Sequence, residues 1–237
     1  MNIWGMILGG AAGFAIGGPI GALLGIAAGH YAEAKLRGPR EPNEAKKIAF
    51  TVAIIALSAK MAKADGIITR SEIDAFRQKV HVPSEDLKRV GQFWDLARQT
   101  PDGFQSYAKQ SVQLFGNRAP ILEQLLELLF FIAKADGEIS APEWEYLKSV
   151  STIFGFDDDE FKRMAKIYGR EDGAAHIILG VAEDASKNEI RAAWRKLVKE
   201  NHPDKLIAQG LPNEFVKAAN DRMQLINTAY NAMKNCK

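Results

Sequence analysis

Three consecutive residues near the end of the sequence have side chains suited to contact with another molecule. His202-Pro203-Asp204 lies between two segments of helical hydrophobic pattern. Pro203 disfavours helical geometry at His202 and cannot continue the preceding helix, so we expect a short exposed bend here. Asp204 offers a carboxylate for a charge-assisted hydrogen bond, and the imidazole of His202 offers a donor and an acceptor. We therefore interpret the bend as a binding site.

The helix predicted before this bend carries a regular row of cations. Ser186-Lys187-Asn188-Glu189 has the form of a capping box and should open the helix. The cations recur at every fourth residue, away from an apolar face formed by Ile190, Trp194 and Leu197. Such rows are usually only solvated, and nucleic acid is the general alternative. Because no aromatic residues are interleaved in the row, we expect no nucleic-acid partner. The row consists of Lys187, Arg191, Arg195 and Lys199.

Paired carboxylates occur in a segment that the sequence repeats. The stretch from Ala62 to Glu72 returns from Ala133 to Glu143, each time with an Asp-Gly turn, then Thr or Ser, then Glu. In a structural interpretation, glycine ends one helix and the hydroxyl and glutamate form a capping box for the next. In a functional interpretation, the carboxylates bind a divalent metal such as Ca²⁺ or Mg²⁺. Two carboxylates per turn are few for such a site, so capping is favoured and no cofactor is certain. The candidate metal ligands are Asp65, Glu72, Asp136 and Glu143.

The start of the sequence has the length and composition of a membrane anchor. No side chain from Ile3 to Gly29 is charged, and at about 1.5 Å per helical residue this run can cross a bilayer core of about 30 Å. Glycine recurs at every fourth position, a spacing that lets two helices approach closely in lipid. We predict a transmembrane helix that joins two copies of the chain as a homodimer. The predicted contact consists of Gly9, Gly13, Gly17, Gly21 and Gly25.

Three other interpretations of this run stay open. A secretory signal would need a basic start, which is missing, although Ala32-Glu33-Ala34 resembles a cleavage site. Gly17-Gly18-Pro19 would alternatively break the run into a hairpin. In the third, the anchor crosses once and its glycines are incidental. For a single pass, the cations lie only after the segment, which places the following domains in the cytoplasm. These cations are Lys35, Arg37, Arg40, Lys46 and Lys47.

Composition and motif content exclude several classes of protein. The 237 residues carry a formal net charge of +2, which gives no whole-chain argument for nucleic acid or an acidic substrate. The single cysteine, Cys236, excludes an intramolecular disulfide and a multi-cysteine zinc site within one chain. The sequence contains no phosphate-binding loop, nucleophile with a base, or metal-binding histidine cluster. We therefore do not expect an enzyme.

Helices must position these residues, because helical periodicity dominates the sequence after the anchor. We predict an all-α chain with a glycine-rich transmembrane anchor (1–34), a linker (35–43), a bundle of about six or seven helices (44–168), a second linker (169–174) and a helical hairpin (175–237). In the hairpin, the last helix is expected to pack back on the helix before the bend. The residues predicted to do so are Val216, Ala219, Met223, Ile226 and Tyr230.

The hairpin resembles a J domain. The resemblance lies in Ile178-Leu179-Gly180-Val181, the helix Ile190–Leu197, His202-Pro203-Asp204-Lys205 and the closing Ile226–Tyr230, all in order. It implies that the bend, including Lys205, docks on a DnaK-type chaperone and stimulates ATP hydrolysis by that partner. It also implies that the row of cations faces an acidic surface of the chaperone.

The bundle resembles the TerB domain, named for tellurite-resistance proteins, through its repeated Asp-Gly turn. This implies an interaction or sensing module with a metal site at the carboxylates named above. Anchor, bundle and hairpin in this order resemble the DjlA family of membrane-anchored, DnaJ-like co-chaperones. Membership implies a bacterial inner-membrane protein with a periplasmic N-terminus that recruits DnaK. The alternative is a membrane-bound interaction or divalent-metal-sensing protein that acts mainly through its TerB-like domain.

Overall fold

The computed structural model describes residues 44–64, 74–76, 87–98, 103–135, 137–168 and 174–235, and its regular secondary structure in these ranges is helical throughout. The all-α prediction is therefore confirmed for this part of the chain. The middle bundle consists of α1 (Glu44–Ala64), α2 (Leu87–Ala97), α3 (Phe104–Phe115), α4 (Pro120–Ala133), α5 (Ala141–Phe154) and α6 (Asp158–Tyr168). The C-terminal hairpin consists of α7 (Ala175–Leu179), α8 (Lys187–Asn201), α9 (Pro203–Gln209), a 3₁₀ turn (Asn213–Phe215) and α10 (Val216–Asn235).

Helix α1 runs through the centre of the middle bundle. Every residue from Ile48 to Ala62 is buried, because this helix is apolar around nearly its whole circumference. Two of its polar side chains have partners: the Thr51 hydroxyl donates to the Lys47 carbonyl at 3.0 Å, and the Lys60 ammonium lies 5.5 Å from the centre of the Tyr107 ring. Helices α2, α3, α4 and α5 pack against α1.

The turn between α4 and α5 has the form that the sequence repeat predicts. Gly137 has a φ of 127°, in the region that favours glycine. The Ser140 side chain accepts a hydrogen bond from the Glu143 amide at 3.4 Å, and the Glu143 carboxylate accepts one from the Ser140 amide at 2.9 Å. The predicted capping box is confirmed in this copy of the repeat. Residues 65–72 of the other copy lie outside the described residues.

The C-terminal hairpin has a small apolar core of its own between α7, α8 and α10. Ile190 of α8 and Ile226 of α10 are 1% and 3% exposed. Trp194 stacks on Tyr230, with ring centres 4.5 Å apart, and its indole nitrogen donates to the Asn227 side chain at 2.9 Å. Packing of Ile226 and Tyr230 toward α8 is therefore confirmed.

The first half of α10 packs somewhere else. Ala219 was predicted to face α8, but it belongs to the same buried cluster as the middle bundle. Phe215 makes an edge-to-face contact with Phe50 of α1, with ring centres 5.0 Å apart and an interplanar angle of 81°. One continuous core therefore crosses from the middle bundle into the C-terminal hairpin. The hairpin residues in it are Leu206, Leu211, Phe215, Ala218 and Ala219.

Candidate functional site

The row of cations is presented by a helix that is capped at its start. The Ser186 side chain accepts from the Glu189 amide at 3.3 Å, and the Glu189 carboxylate accepts from the Ser186 amide at 2.7 Å. The capping box predicted at this position is confirmed. Because α8 then continues without interruption, residues four apart lie along one side of it. All members of the row are exposed: Lys187, Arg191, Arg195 and Lys199.

The predicted bend stands directly at the end of this row. His202 follows the last residue of α8 and is also the N-cap of α9, with an extended backbone (φ −61°, ψ 131°). Pro203 occupies the first position of α9, where its missing amide proton costs nothing. The bend is therefore a corner between α8 and the short helix α9. The bend is exposed, as the sequence predicts: the side chains of His202 and Asp204 are 49% and 88% exposed.

The two ring nitrogens of His202 have different surroundings. Its Nδ1 accepts a hydrogen bond from the Asp204 amide at 3.2 Å and so caps α9. An accepting Nδ1 carries no proton, so a neutral ring has its proton on Nε2. The imidazole can therefore donate outward through Nε2 while Nδ1 holds the bend. The Asp204 carboxylate lies 3.7 Å from Nδ1.

The inner side of the bend is fixed in the core. Leu206 is fully buried, and the Leu211 amide donates to its carbonyl at 2.8 Å. Asn201, the last residue of α8, is 1% exposed and donates to the Leu197 carbonyl at 2.9 Å. Lys205 is half-buried. The bend thus combines exposed polar groups on its outside with buried groups immediately before and after it.

The candidate metal ligands are only partly described. Glu143 is 3% exposed, and its carboxylate accepts from both the amide and the hydroxyl of Ser140. Asp65, Glu72 and Asp136 lie outside the described residues. Within the described ranges, no group of three or more His, Cys, Asp or Glu side chains could hold a metal ion.

The predicted anchor, with Gly9, Gly13, Gly17, Gly21 and Gly25, lies before the first described residue. Among the helices that the structure does describe, none is both long and apolar enough to cross a membrane.

One buried charged group was not predicted from the sequence. Arg222 of α10 is 3% exposed and lies between the carboxylates of Glu123 and Glu127 on α4, at 2.5 and 3.0 Å. The available signal was weak. Two acids four residues apart interrupt the mostly apolar helix α4, and an arginine interrupts the apolar side of α10 between Ala219 and Ile226.

Three family models match three separate parts of the chain. Residues 1–38 match the co-chaperone DjlA transmembrane domain, residues 51–166 match tellurite resistance protein TerB, and residues 175–237 match the DnaJ domain. The first match identifies a membrane anchor and the last identifies a J domain.

Similar proteins align with this chain over nearly their whole length. A DjlA co-chaperone of Photobacterium profundum is 29% identical, with 98% of each chain covered. One of Coxiella burnetii is 27% identical over 99% of this chain and 98% of its own. No solved structure matches the chain. From its anchor, TerB-like bundle and J domain, the chain belongs to the DjlA family of co-chaperones.

Proposed function

We propose that the chain recruits a DnaK-type chaperone through its J domain and stimulates ATP hydrolysis by that partner. The geometry of the bend is the observation that carries this proposal. His202 holds the bend by accepting a hydrogen bond at Nδ1 from the Asp204 amide. The Asp204 side chain is 88% exposed, and the bend follows a helix with an exposed row of cations. A site of this kind supplies recognition, and the chemistry of hydrolysis belongs to the partner.

Each residue of the site has a distinct physical task in this proposal. Asp204 accepts a charge-assisted hydrogen bond from an arginine of the chaperone. Pro203 fixes the corner, and His202 donates through Nε2 at its edge. Lys205 and the cation row face an acidic surface, so they raise the rate of encounter more than they tighten the complex. Salt should weaken that contribution, because exposed charges are screened over about 8–10 Å at physiological ionic strength.

The membrane anchor determines where this recruitment takes place. Cations directly after the anchor favour a single pass with a periplasmic N-terminus and cytoplasmic C-terminal domains, in the inner membrane of a bacterium. The glycine row favours a homodimer through close helix contact. Crosslinking of the intact protein in membranes tests the dimer, and monomers alone would contradict it.

The direct test is Asp204→Asn in the full chain, reconstituted in a bilayer with a matched DnaK. The substitution preserves shape and removes the charge, so stimulation of ATP hydrolysis should fall to the basal rate while the helical circular dichroism stays unchanged. Glu183→Gln is the matched control, because it neutralises another exposed carboxylate of the J domain away from the bend. Absence of stimulation by the unmodified chain would overturn the proposal.

A further inference from the structure

A buried ion-pair cluster joins the last helix of the J domain to the middle bundle. The Arg222 guanidinium contacts Glu123 Oε1 through Nη2 at 2.5 Å and Glu127 Oε2 through Nη1 at 3.0 Å. The Arg222 side chain is 3% exposed and each glutamate side chain is 15% exposed. Arg163 of α6 lies 3.7 Å from the Glu123 carboxylate. The cluster therefore pairs two carboxylates with two guanidinium groups.

The arrangement makes Arg222 hard to replace. Glu123 and Glu127 are four residues apart on α4 and share one face, so their charges repel each other unless a cation lies between them. Burial by itself raises the pKa of the Glu123 carboxyl, but Arg222 and Arg163 outweigh it and the pKa is below its ordinary value. The Glu123 carboxyl is therefore charged at neutral pH, and removing Arg222 would leave the two largely buried glutamates without their shared partner.

Apolar contacts extend this junction back to the bend. Phe215 is fully buried against Phe50 of α1, and Leu211 is also fully buried. Gly210 has a φ of +116° and fits so closely against Lys46 that an added Cβ would lie 2.5 Å from the Lys46 Cβ. The docked face of the J domain, defined as Leu206, Leu211, Phe215, Ala218, Ala219 and Arg222, thus begins two residues after Asp204.

The opposite side of the same segment stays available. The open face of the J domain, defined as His202, Pro203, Asp204 and the row of cations, contains no residue of the cluster shared with the middle bundle. The middle bundle therefore packs against the docked face, which begins just after the bend, and leaves the outer side chains of the bend exposed. A short bend held by packing loses less conformational entropy when a partner binds. The affinity of the bend for that partner is therefore higher than that of a mobile bend.

We propose that Arg222 is a positioning residue that fixes α10 on the TerB-like bundle through its ion pairs with Glu123 and Glu127. The bundle in turn holds the His202–Asp204 bend in its binding conformation. The proposal rests on the proposed function for its effect on DnaK, and its structural part can be tested without DnaK. The surface that Arg222 contacts belongs to the bundle of the same chain. Arg222 itself touches no chaperone, because it is buried.

The test compares full-chain variants in bilayers by two measurements. Arg222→Met should raise the concentration of co-chaperone needed for half-maximal DnaK stimulation by about tenfold, because only the docked fraction presents the bend correctly. The maximal rate at saturation should stay near that of the unmodified chain, whereas Asp204→Asn should lose the maximal rate. Backbone amides from Lys205 to Arg222 should exchange with deuterium about tenfold faster or more, since removing one partner of a buried pair is strongly destabilising.

A variant that removes both carboxylates together with Arg222 separates positioning from direct contact. The triple variant Glu123→Gln, Glu127→Gln and Arg222→Met leaves only Arg163, whose side chain is 29% exposed, without its partner. It should restore both measurements to within about twofold of the unmodified chain. Arg222→Lys keeps the charge but cannot contact both carboxylates in the planar manner of arginine. Its half-maximal concentration and its amide exchange should therefore lie between those of the unmodified chain and Arg222→Met. It provides a milder variant if Arg222→Met does not fold. Arg98→Met, which breaks an exposed pair with Asp95, is the control and should change neither measurement.

Several results would overturn the proposal. Unchanged half-maximal concentration and unchanged exchange in both Arg222 variants would exclude a clamp. Failure of the triple variant to recover would mean that Arg222 acts otherwise than by docking. Increased stimulation by Arg222→Met would mean that docking restrains the bend instead of presenting it. If the unmodified chain did not stimulate DnaK, the proposed function would fail, and amide exchange alone would still decide whether Arg222 clamps the junction.

Discussion

The open and docked faces of the J domain lie within a few residues of each other and follow opposite physical rules. The open face is polar, charged and exposed, and its Asp204 carboxylate is 88% exposed. The docked face is apolar around one buried arginine, and Phe215 is fully buried. Changes on the open face should therefore alter partner binding with little effect on stability, and changes on the docked face should alter stability first.

The largest expected effect comes from the docked face. Phe215→Ala should lower the free energy of unfolding by about 3–5 kcal/mol, because it leaves a cavity against Phe50 in a closely packed core. Urea unfolding followed by circular dichroism measures this change. The comparison on the open face is Lys199→Ala, for which a change within about 0.5 kcal/mol is expected. A similar loss in both variants would contradict the distinction between the two faces.

Acid should weaken the docked face through Glu123. Its pKa is lower in the folded chain than its ordinary value of 4.5, so the carboxylate stabilises the fold fully above pH 4.5. That contribution is lost as the pH falls through 4.5 toward the lower folded pKa. The free energy of unfolding measured against pH should therefore fall less steeply below pH 4.5 in Glu123→Gln than in the unmodified chain. Glu183→Gln, at an exposed position, serves as the control; an equal loss of slope there would contradict a role specific to the junction.

The open face should show its contribution in salt dependence. Arg191→Ala combined with Arg195→Ala removes two exposed charges from the row without touching a buried side chain. Association with DnaK at low salt should slow, and the slope of association rate against salt should become shallower, because steering depends on the number of charges. Stopped-flow fluorescence at several salt concentrations measures both quantities. The free energy of unfolding should stay within about 0.5 kcal/mol of that of the unmodified chain. An unchanged salt slope would show that the row does not steer.

The open face could be predicted from sequence because its signals are local. Pro203 ends a helix through its own ring, and Ser186 and Glu189 cap α8 through residues three apart. The docked face depends on contacts between distant residues. Phe215 meets Phe50, and Arg222 meets Glu127, only after the bundle has formed. Ala219 fits the apolar spacing of α10 equally well in either core, so periodicity could not assign it to the correct one.

A small loss of stability in each domain tests whether the two domains unfold together. Ser140 and Ser186 form matched capping boxes, one in the middle bundle and one in the J domain, with amide-to-carboxylate hydrogen bonds of 2.9 and 2.7 Å. Each Ser→Ala substitution should cost about 1 kcal/mol. Because Leu206, Leu211 and Phe215 complete the core of the middle bundle, both variants should lower the midpoint of one common thermal transition. Differential scanning calorimetry should show this shift for either substitution, and the costs should add in the double variant, since the two caps share no partner. Two separate transitions, each moved by only one of the substitutions, would show that the junction does not couple the domains.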